Sequence, residues 1–287
     1  MTRQPIRNVF SIDLEEWFCV YNLSETIPYD RWDTCESRVE KPTLAILDLL
    51  ARHRSEATFF VLGWVAERHP DLIREVERRG HEIASHSYAH RLITKMTPDE
   101  FRSDLARSLD VLAKLTTRPV SGFRAPSFSV TRRTWWSLEI MRELGFRYDS
   151  SVFPIGFHPD YGVPDSQLDS HEVAEGLWEL PMSVALVAGR RIPCCGGGYF
   201  RQFPYPLTRR LMRACNAQGR SVTFYLHPWE VDPGQPRVAL PLVKRIRHYN
   251  NLDKTMARLE RLFEDFSFTS ARSLYGSNWS SMDSPMR

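Results

Sequence analysis

The sequence predicts an α/β protein built on a parallel sheet, open or closed into a barrel, and three observations carry that expectation. Short apolar strands alternate with amphipathic helices from Asn8 to Tyr148, the pattern of successive βαβ units. The chain has 287 residues with 42% hydrophobic and 25% charged content, enough for one barrel or two small domains. Polar residues able to carry chemistry follow the predicted strands directly, at the end where α/β folds place their sites.

The first element, Asn8–Leu14, is an apolar run whose tip carries Asp13, Glu15 and Glu16, as a buried strand with an acidic end would. From Lys41 to His53, Leu44, Leu47 and Leu50 recur at helical spacing behind Pro42, which predicts an amphipathic helix. A strand over Ala57–Leu62, a helix over Val65–Arg79 closed by Gly80 and a strand over Glu82–Ser85 come next. A helix over Pro98–Leu115, a strand over Val120–Phe123, a helix over Arg133–Leu144 closed by Gly145 and a strand over Phe146–Tyr148 extend the series. Turn residues then break the alternation between Pro154 and Gly198, and Cys194–Tyr199 (CCGGGY) reads as a flexible loop. A helix over Leu207–Gln218, a strand over Ser221–His227 and a helix over Leu252–Phe266 follow. The Ser-rich tail after Ser270 is expected to be disordered.

Composition excludes several classes. The net charge is +3 and arginines are scattered singly or in pairs, so no electrostatic footprint for nucleic acid is present. Five cysteines without Cys-x-x-Cys spacing suggest neither a disulfide framework nor a thiolate zinc site. Met1–Val9 leads into acidic rather than apolar sequence, and no window reaches the ~18 apolar residues of a membrane span. The expectation is a cytoplasmic protein, with peripheral attachment at the inner membrane left open.

His86 and His90 follow a strand at a four-residue step, so a helical turn there would place both imidazoles on one side, as a divalent metal requires. Asp13 and Glu15 are two positions apart and share a strand face; one could ligate a cation while the other acts as base. Arg124 ends another strand and could hold a carboxylate through paired hydrogen bonds. His227 ends a third and Asp149 a fourth, supplying a histidine and a candidate carboxylate to orient it. Trp17, Trp229 and Tyr199 are candidate stacking surfaces for sugar rings.

In order, Ser11–Glu15 (SIDLE), His86–His90 (HSYAH), Arg124–Pro126 (RAP), Asp149–Ser151 (DSS) and Leu226–His227 resemble the five motifs of the NodB-homology polysaccharide deacetylases, carbohydrate esterase family four. The resemblance runs from about Val9 to Trp229. Gly196–Arg201 and His248–Lys254 are similar to the C-terminal extension of exosortase-associated exopolysaccharide deacetylases. It implies a distorted (β/α)7 barrel over residues 1–230 with an irregular excursion at about 154–206, a helical extension over 231–270 and a disordered tail over 271–287. It also implies one divalent metal, usually zinc, and deacetylation of N-acetylhexosamine units. His86 and His90 become metal ligands, Asp13 the general base, His227 the general acid, Arg124 the partner of Asp13 and Asp149 that of His227. Where the family carries a second, metal-binding aspartate this chain has Leu14, and Glu15, on the face that Leu14 lacks, is the candidate replacement. Pro126 and Ser127 would line the pocket, with Ser127 standing where many relatives have Tyr.

The expected substrate is an exopolysaccharide or its lipid-linked precursor, in association with a membrane polysaccharide-assembly complex and without nucleic acid. Two other readings compete: a metal-independent amidohydrolase of the same fold acting on a small cyclic amide, and a non-catalytic glycan-binding protein. Asp13, Arg124, Asp149 and His227 together favour catalysis, because sugar stacking needs no proton-transfer groups.

Overall fold

The computed structural model describes residues 6–156 and 161–280. The chain runs β1 (Arg7–Leu14), α1 (Glu40–Arg52), β2 (Thr58–Val61), α2 (Gly63–Arg68), α3 (Pro70–Arg78), β3 (Glu82–Ser85), α4 (Pro98–Ala113), β4 (Gly122–Phe123), α5 (Ser137–Glu143) and β5 (Tyr148–Asp149). It continues through β6 (His171–Ala174), β7 (Leu177–Glu179), β8 (Val184–Val187), β9 (Arg190–Pro193), α6 (Gly197–Gln202), α7 (Tyr205–Ala217) and β10 (Thr223–Leu226). The last elements are α8 (Leu242–Tyr249), α9 (Leu252–Asp265), β11 (Ser267–Thr269) and α10 (Ala271–Ser280).

A nine-stranded sheet runs in the order β10-β1-β2-β3-β4-β5-β7-β6, with β11 also on β1. All its pairings are parallel except β6 with β7, and β8 and β9 form a separate hairpin. This is the parallel α/β architecture the alternation predicts. Strand alternation sorts β1: Phe10, Ile12 and Leu14 join the large core on one face, while Val9 joins the smaller cluster with Phe60 and Tyr148 on the other. Ser11 and Asp13 share the face of Val9, which carries Asp13 toward the carboxyl ends of the strands.

Local chemistry sets the boundaries. Thr97 and Glu100 form a reciprocal capping box at the start of α4, satisfying backbone groups that a helix end leaves open. The single helix expected over 65–79 is broken at His69, whose φ and ψ are −126° and 55°, because Pro70 disfavours helical geometry in the residue before it.

Three expectations need correction. The stretch 154–206 is not wholly an excursion, since β7 pairs with β5 and β6 with β7; these strands have only three or four residues, too few for a period-two pattern to register. Gly196 and Gly197 are a close approach rather than a flexible loop. Gly196 has φ 98°, and a Cβ there would lie 1.9 Å from the carbonyl oxygen of Tyr225, so only glycine fits.

The third correction concerns the C-terminus. The extension includes strand β11, and residues 271–280 of the expected disordered tail form α10; the rest of that tail lies outside the described residues. Trp279 stacks on Tyr148 at 4.5 Å, Ala271 N donates to Thr58 Oγ1 and Arg272 N to Glu82 Oε2. Those contacts order a segment whose composition alone reads as unstructured.

Candidate functional site

A cleft of about 270 Å³ opens at the carboxyl ends of the strands, and Asp13, Glu15, His86, His90, His227 and Trp229 are among its lining residues. Asp13 and Glu15 enter from the end of β1, where Leu14 between them is fully buried on the opposite face. Glu16 turns away: its carboxylate accepts from Ser37 Oγ and the backbone N–H groups of Arg38 and Val39 before α1.

His86 and His90 do converge, but not through a helical turn. Ser87 and His90 take φ of 65° and 52°, and the carboxylate of Asp104 pins the backbone N–H groups of Tyr88 and Ala89. The two rings lie 5.2 Å apart. Ser127 and Phe128 on the facing loop have φ of 50° and 54°. Left-handed backbone in non-glycine residues costs about 1–3 kcal/mol each and collects at functional sites.

Glu15, His86 and His90 offer one ligand atom each within 4.8 Å of one another, all three buried. His86 Nδ1 donates to the carbonyl oxygen of Arg124 at 2.8 Å, leaving Nε2 as a lone-pair donor, the arrangement of metal-binding histidines. Burial pushes the His86 pKa down to about 4, so its ring is neutral near pH 7. Burial alone would raise Glu15, but the imidazoles around it, His90 first and then His227 and His86, hold it at about 2. Glu15 Oε2 approaches His90 Nε2 at 2.9 Å yet accepts no well-aligned hydrogen bond. An ionised, buried carboxylate oxygen without a donor, beside two imidazoles, suits a divalent cation in donor type.

The proton-transfer groups lie alongside. Arg124 is fully buried; its Nη1 donates to Asp13 Oδ1 at 2.7 Å and to Ser11 Oγ at 2.8 Å, and its Nε and Nη2 hold Ser150. His227 Nε2 lies 3.7 Å from Asp13 Oδ2 and 3.5 Å from Glu15 Oε1. Burial would lower the His227 pKa, but its hydrogen bond to Glu230 and the charges of Glu15, Glu230 and Asp13 raise it to about 9.

Asp149 does not orient His227. The carboxylate on His227 Nδ1 is Glu230, at 2.8 Å, whereas Asp149 accepts from Ser151 Oγ and pairs with Glu179 across β5 and β7. The sequence did hold a signal: Glu230 is three residues past His227, and its second contact, from His227 N at 3.1 Å, closes a capping box.

Of the expected sugar-facing residues, Ser127, Tyr199 and Trp229 line the cleft. Trp17 does not; it is buried, its Nε1 donates to the carbonyl oxygen of Glu36, and its ring packs edge-on against Phe18. Pro126 is buried at the start of a short 3₁₀ turn. Trp229 stacks on His227 at 5.0 Å and on His248 at 4.5 Å, and its Nε1 donates to Glu15 Oε1 at 3.2 Å. Arg201, in the Gly196–Arg201 segment, also lines the cleft, as do Tyr161 and Arg247, which carry no signal in the sequence. They come from the irregular C-terminal half, where no strand end marks them.

Residues 30–148 match the family described as polysaccharide deacetylase, and residues 150–276 match a domain of unknown function, DUF3473. A peptidoglycan-N-acetylglucosamine deacetylase of Bacillus cereus is 30% identical over 114 residues, 38% of this chain and 42% of the relative. A chitooligosaccharide deacetylase of Rhizobium leguminosarum is 39% identical over 67 residues, 23% of this chain and 31% of the relative. The chain thus spans less than half the length of these curated relatives. A solved structure from Mycobacterium smegmatis, assigned to the polysaccharide deacetylases, superposes with a TM-score of 0.63 at 22% identity, covering 99% of this chain and 97% of that one. That likeness shows the fold.

Proposed function

Because residues 30–148 match the polysaccharide deacetylase family, we propose hydrolytic removal of acetyl groups from N-acetylhexosamine units of a glycan. The observation that carries the proposal is one cleft in which the Glu15, His86 and His90 donor set lies beside Asp13 and His227. A divalent cation held by Glu15, His86 and His90, with zinc the proposed ion, would supply Lewis acidity to the acetyl carbonyl and to the attacking water.

The chain's own residues supply the rest. Arg124 fixes the orientation of Asp13 and keeps one of its oxygens occupied, leaving Oδ2 to take a proton from water as it attacks the carbonyl carbon. His227, charged near neutral pH by its carboxylate neighbours, gives its Nε2 proton to the amide nitrogen. The C–N bond then breaks, releasing acetate and the free amine. Tyr199 offers a flat surface to the sugar, while Trp229, stacked between His227 and His248, contributes a wall of the cleft.

The proposed substrate is an exopolysaccharide or its lipid-linked precursor, handled in the cytoplasm beside a membrane assembly complex. Support comes from the resemblance of Gly196–Arg201 and His248–Lys254 to exosortase-associated enzymes. No helix among the described residues is long and apolar enough to cross a membrane. The test is acetate release from an N-acetylglucosamine oligomer. Wild type should turn over, and Asp13→Asn should lose about 10²-fold or more in kcat; an oligomer untouched by wild type, with a lipid-linked acetylated glycan equally untouched, rejects the proposal.

A further inference from the structure

The matched family over residues 30–148 ends before His227, and the residues that hold His227 in place all come from the segment matched to a domain of unknown function. Glu230 is fully buried and both its oxygens are used: Oε1 accepts from His227 Nδ1 and His227 N, Oε2 from Arg201 Nε at 2.5 Å. Arg201, only 1% exposed, spends its remaining donors on the carboxyl end of α8 and the residue beyond it. Its Nη2 donates to the carbonyl of Arg247 at 2.6 Å, and Nη1 to those of His248 and Asn250 at 3.1 and 2.8 Å. A helix end presents unpaired carbonyls and partial negative charge, and a guanidinium satisfies both.

The same segment braces the far side of the ring. Trp229 is sandwiched between His227 and His248. His248 Nε2 donates to Gln235 Oε1 at 2.9 Å, and Gln235 Nε2 donates to the carbonyl of Trp229 at 2.7 Å. Asn251 and Arg258 grip the backbone carbonyl of Arg201. The His227 imidazole is therefore fixed in its plane by Glu230 and across its face by Trp229; Glu230 is held by Arg201, and Arg201 and Trp229 are in turn held by residues between Gln235 and Arg258.

We propose that the segment from Arg201 to Arg258 is a positioning device for the leaving-group proton, with Glu230 and Arg201 as positioning residues that set the tautomer and direction of His227. The proposal rests on the deacetylase reading above. Glu230 holds the proton on Nδ1 so that Nε2 delivers the other to the departing nitrogen, whose electron pair takes it as the C–N bond breaks and leaves a neutral imidazole. Arg201 makes a buried carboxylate tolerable there, since an unpaired one would be strongly unfavourable.

Leaving-group dependence tests this, because an amine departs only when protonated while a nitrophenolate departs unaided. Wild type, Glu230→Gln and Arg201→Lys would be assayed on an N-acetylglucosamine oligomer and on p-nitrophenyl acetate. On the amide, Glu230→Gln should lose about 10²-fold in kcat and Arg201→Lys, which keeps the charge but not the fork of donors, about tenfold, with KM within about twofold. On the ester both should stay within about threefold of wild type, which also reports an intact fold. Proportional loss on both substrates, loss of folding in both variants, or no loss on the amide overturns the positioning role while wild-type amide turnover leaves the deacetylase reading standing. Wild type that cleaves the ester but no acetylated glycan overturns the reading itself, and the proposal with it.

Discussion

His227 and Glu230 face each other at 2.8 Å across one 3₁₀ turn, Nδ1 to Oε1, so the imidazole and the carboxylate that orients it belong to the same four-residue step. A contact this local is set by backbone geometry rather than by the meeting of two distant strands. It leaves Asp149 free for a different role, the buried acid pair with Glu179.

That pair makes stability fall as pH rises. Burial raises Asp149 to about 6, and burial followed by the Asp149 charge lifts Glu179 well above its ordinary value. A group whose folded-state pKa is raised binds its proton more tightly when folded; its stabilisation is complete below the unfolded value of about 4 and is lost as pH climbs through the folded one. Glu179→Gln can donate to Asp149 without titrating. The melting temperature of this variant minus that of wild type should increase between pH 4.5 and pH 7; a constant or shrinking difference would contradict the shared proton.

Glu15→Ala should reduce bound zinc to below about a tenth of wild type by elemental analysis, since the carboxylate is one of only three donors in the cluster. Adding Leu14→Asp will not restore it. Leu14 is fully buried in the core on the other face of β1, and a carboxylate there costs several kcal/mol, on the order of the penalty for an unpaired buried polar group. Metal recovery in the double variant would refute the strand assignment.

Trp17 and Trp229 should separate cleanly. Trp17→Ala leaves a core cavity and should lower stability by about 3–5 kcal/mol, with KM for an oligosaccharide near wild type. Trp229→Ala, removing a cleft wall and the hydrogen bond to Glu15, should cut kcat/KM at least about tenfold. Denaturant titration and steady-state kinetics read both; a KM change confined to Trp17→Ala would reverse the two placements.

The helix at the C-terminus is expected to plug the sheet from below. Trp279→Ala removes the stack on Tyr148 and should cost about 3 kcal/mol in chemical denaturation, with kcat unchanged. A stability equal to wild type would mean that α10 does not dock as described.

The alternation of short strands with amphipathic helices makes β1, β2, β3 and β10 legible, and Asp13, His86 and His227, at or just past three of their ends, meet in one cleft. Glu15 was legible from strand periodicity once Leu14 stood in the aspartate's place. What escaped depended on three-dimensional convergence. Glu230 and Arg201 meet across 29 residues, and nothing in either local sequence points to the other. Trp17 was misplaced because proximity to Asp13 along the chain does not say which way the chain turns after the strand. The order in residues 271–280 comes from Tyr148, Thr58 and Glu82, partners that a reading of the Ser-rich tail by itself could not supply.

If Glu15, His86 and His90 hold a metal that deacetylation requires, metal content and activity must rise and fall together. The most direct measurement is acetate release from an N-acetylglucosamine oligomer by the purified chain, with metal content determined on the same sample, before chelation, after it, and after adding back zinc. About one ion should be bound per chain, with activity lost with the ion and restored with it; undiminished acetate release from metal-free protein would contradict a metal-dependent reaction.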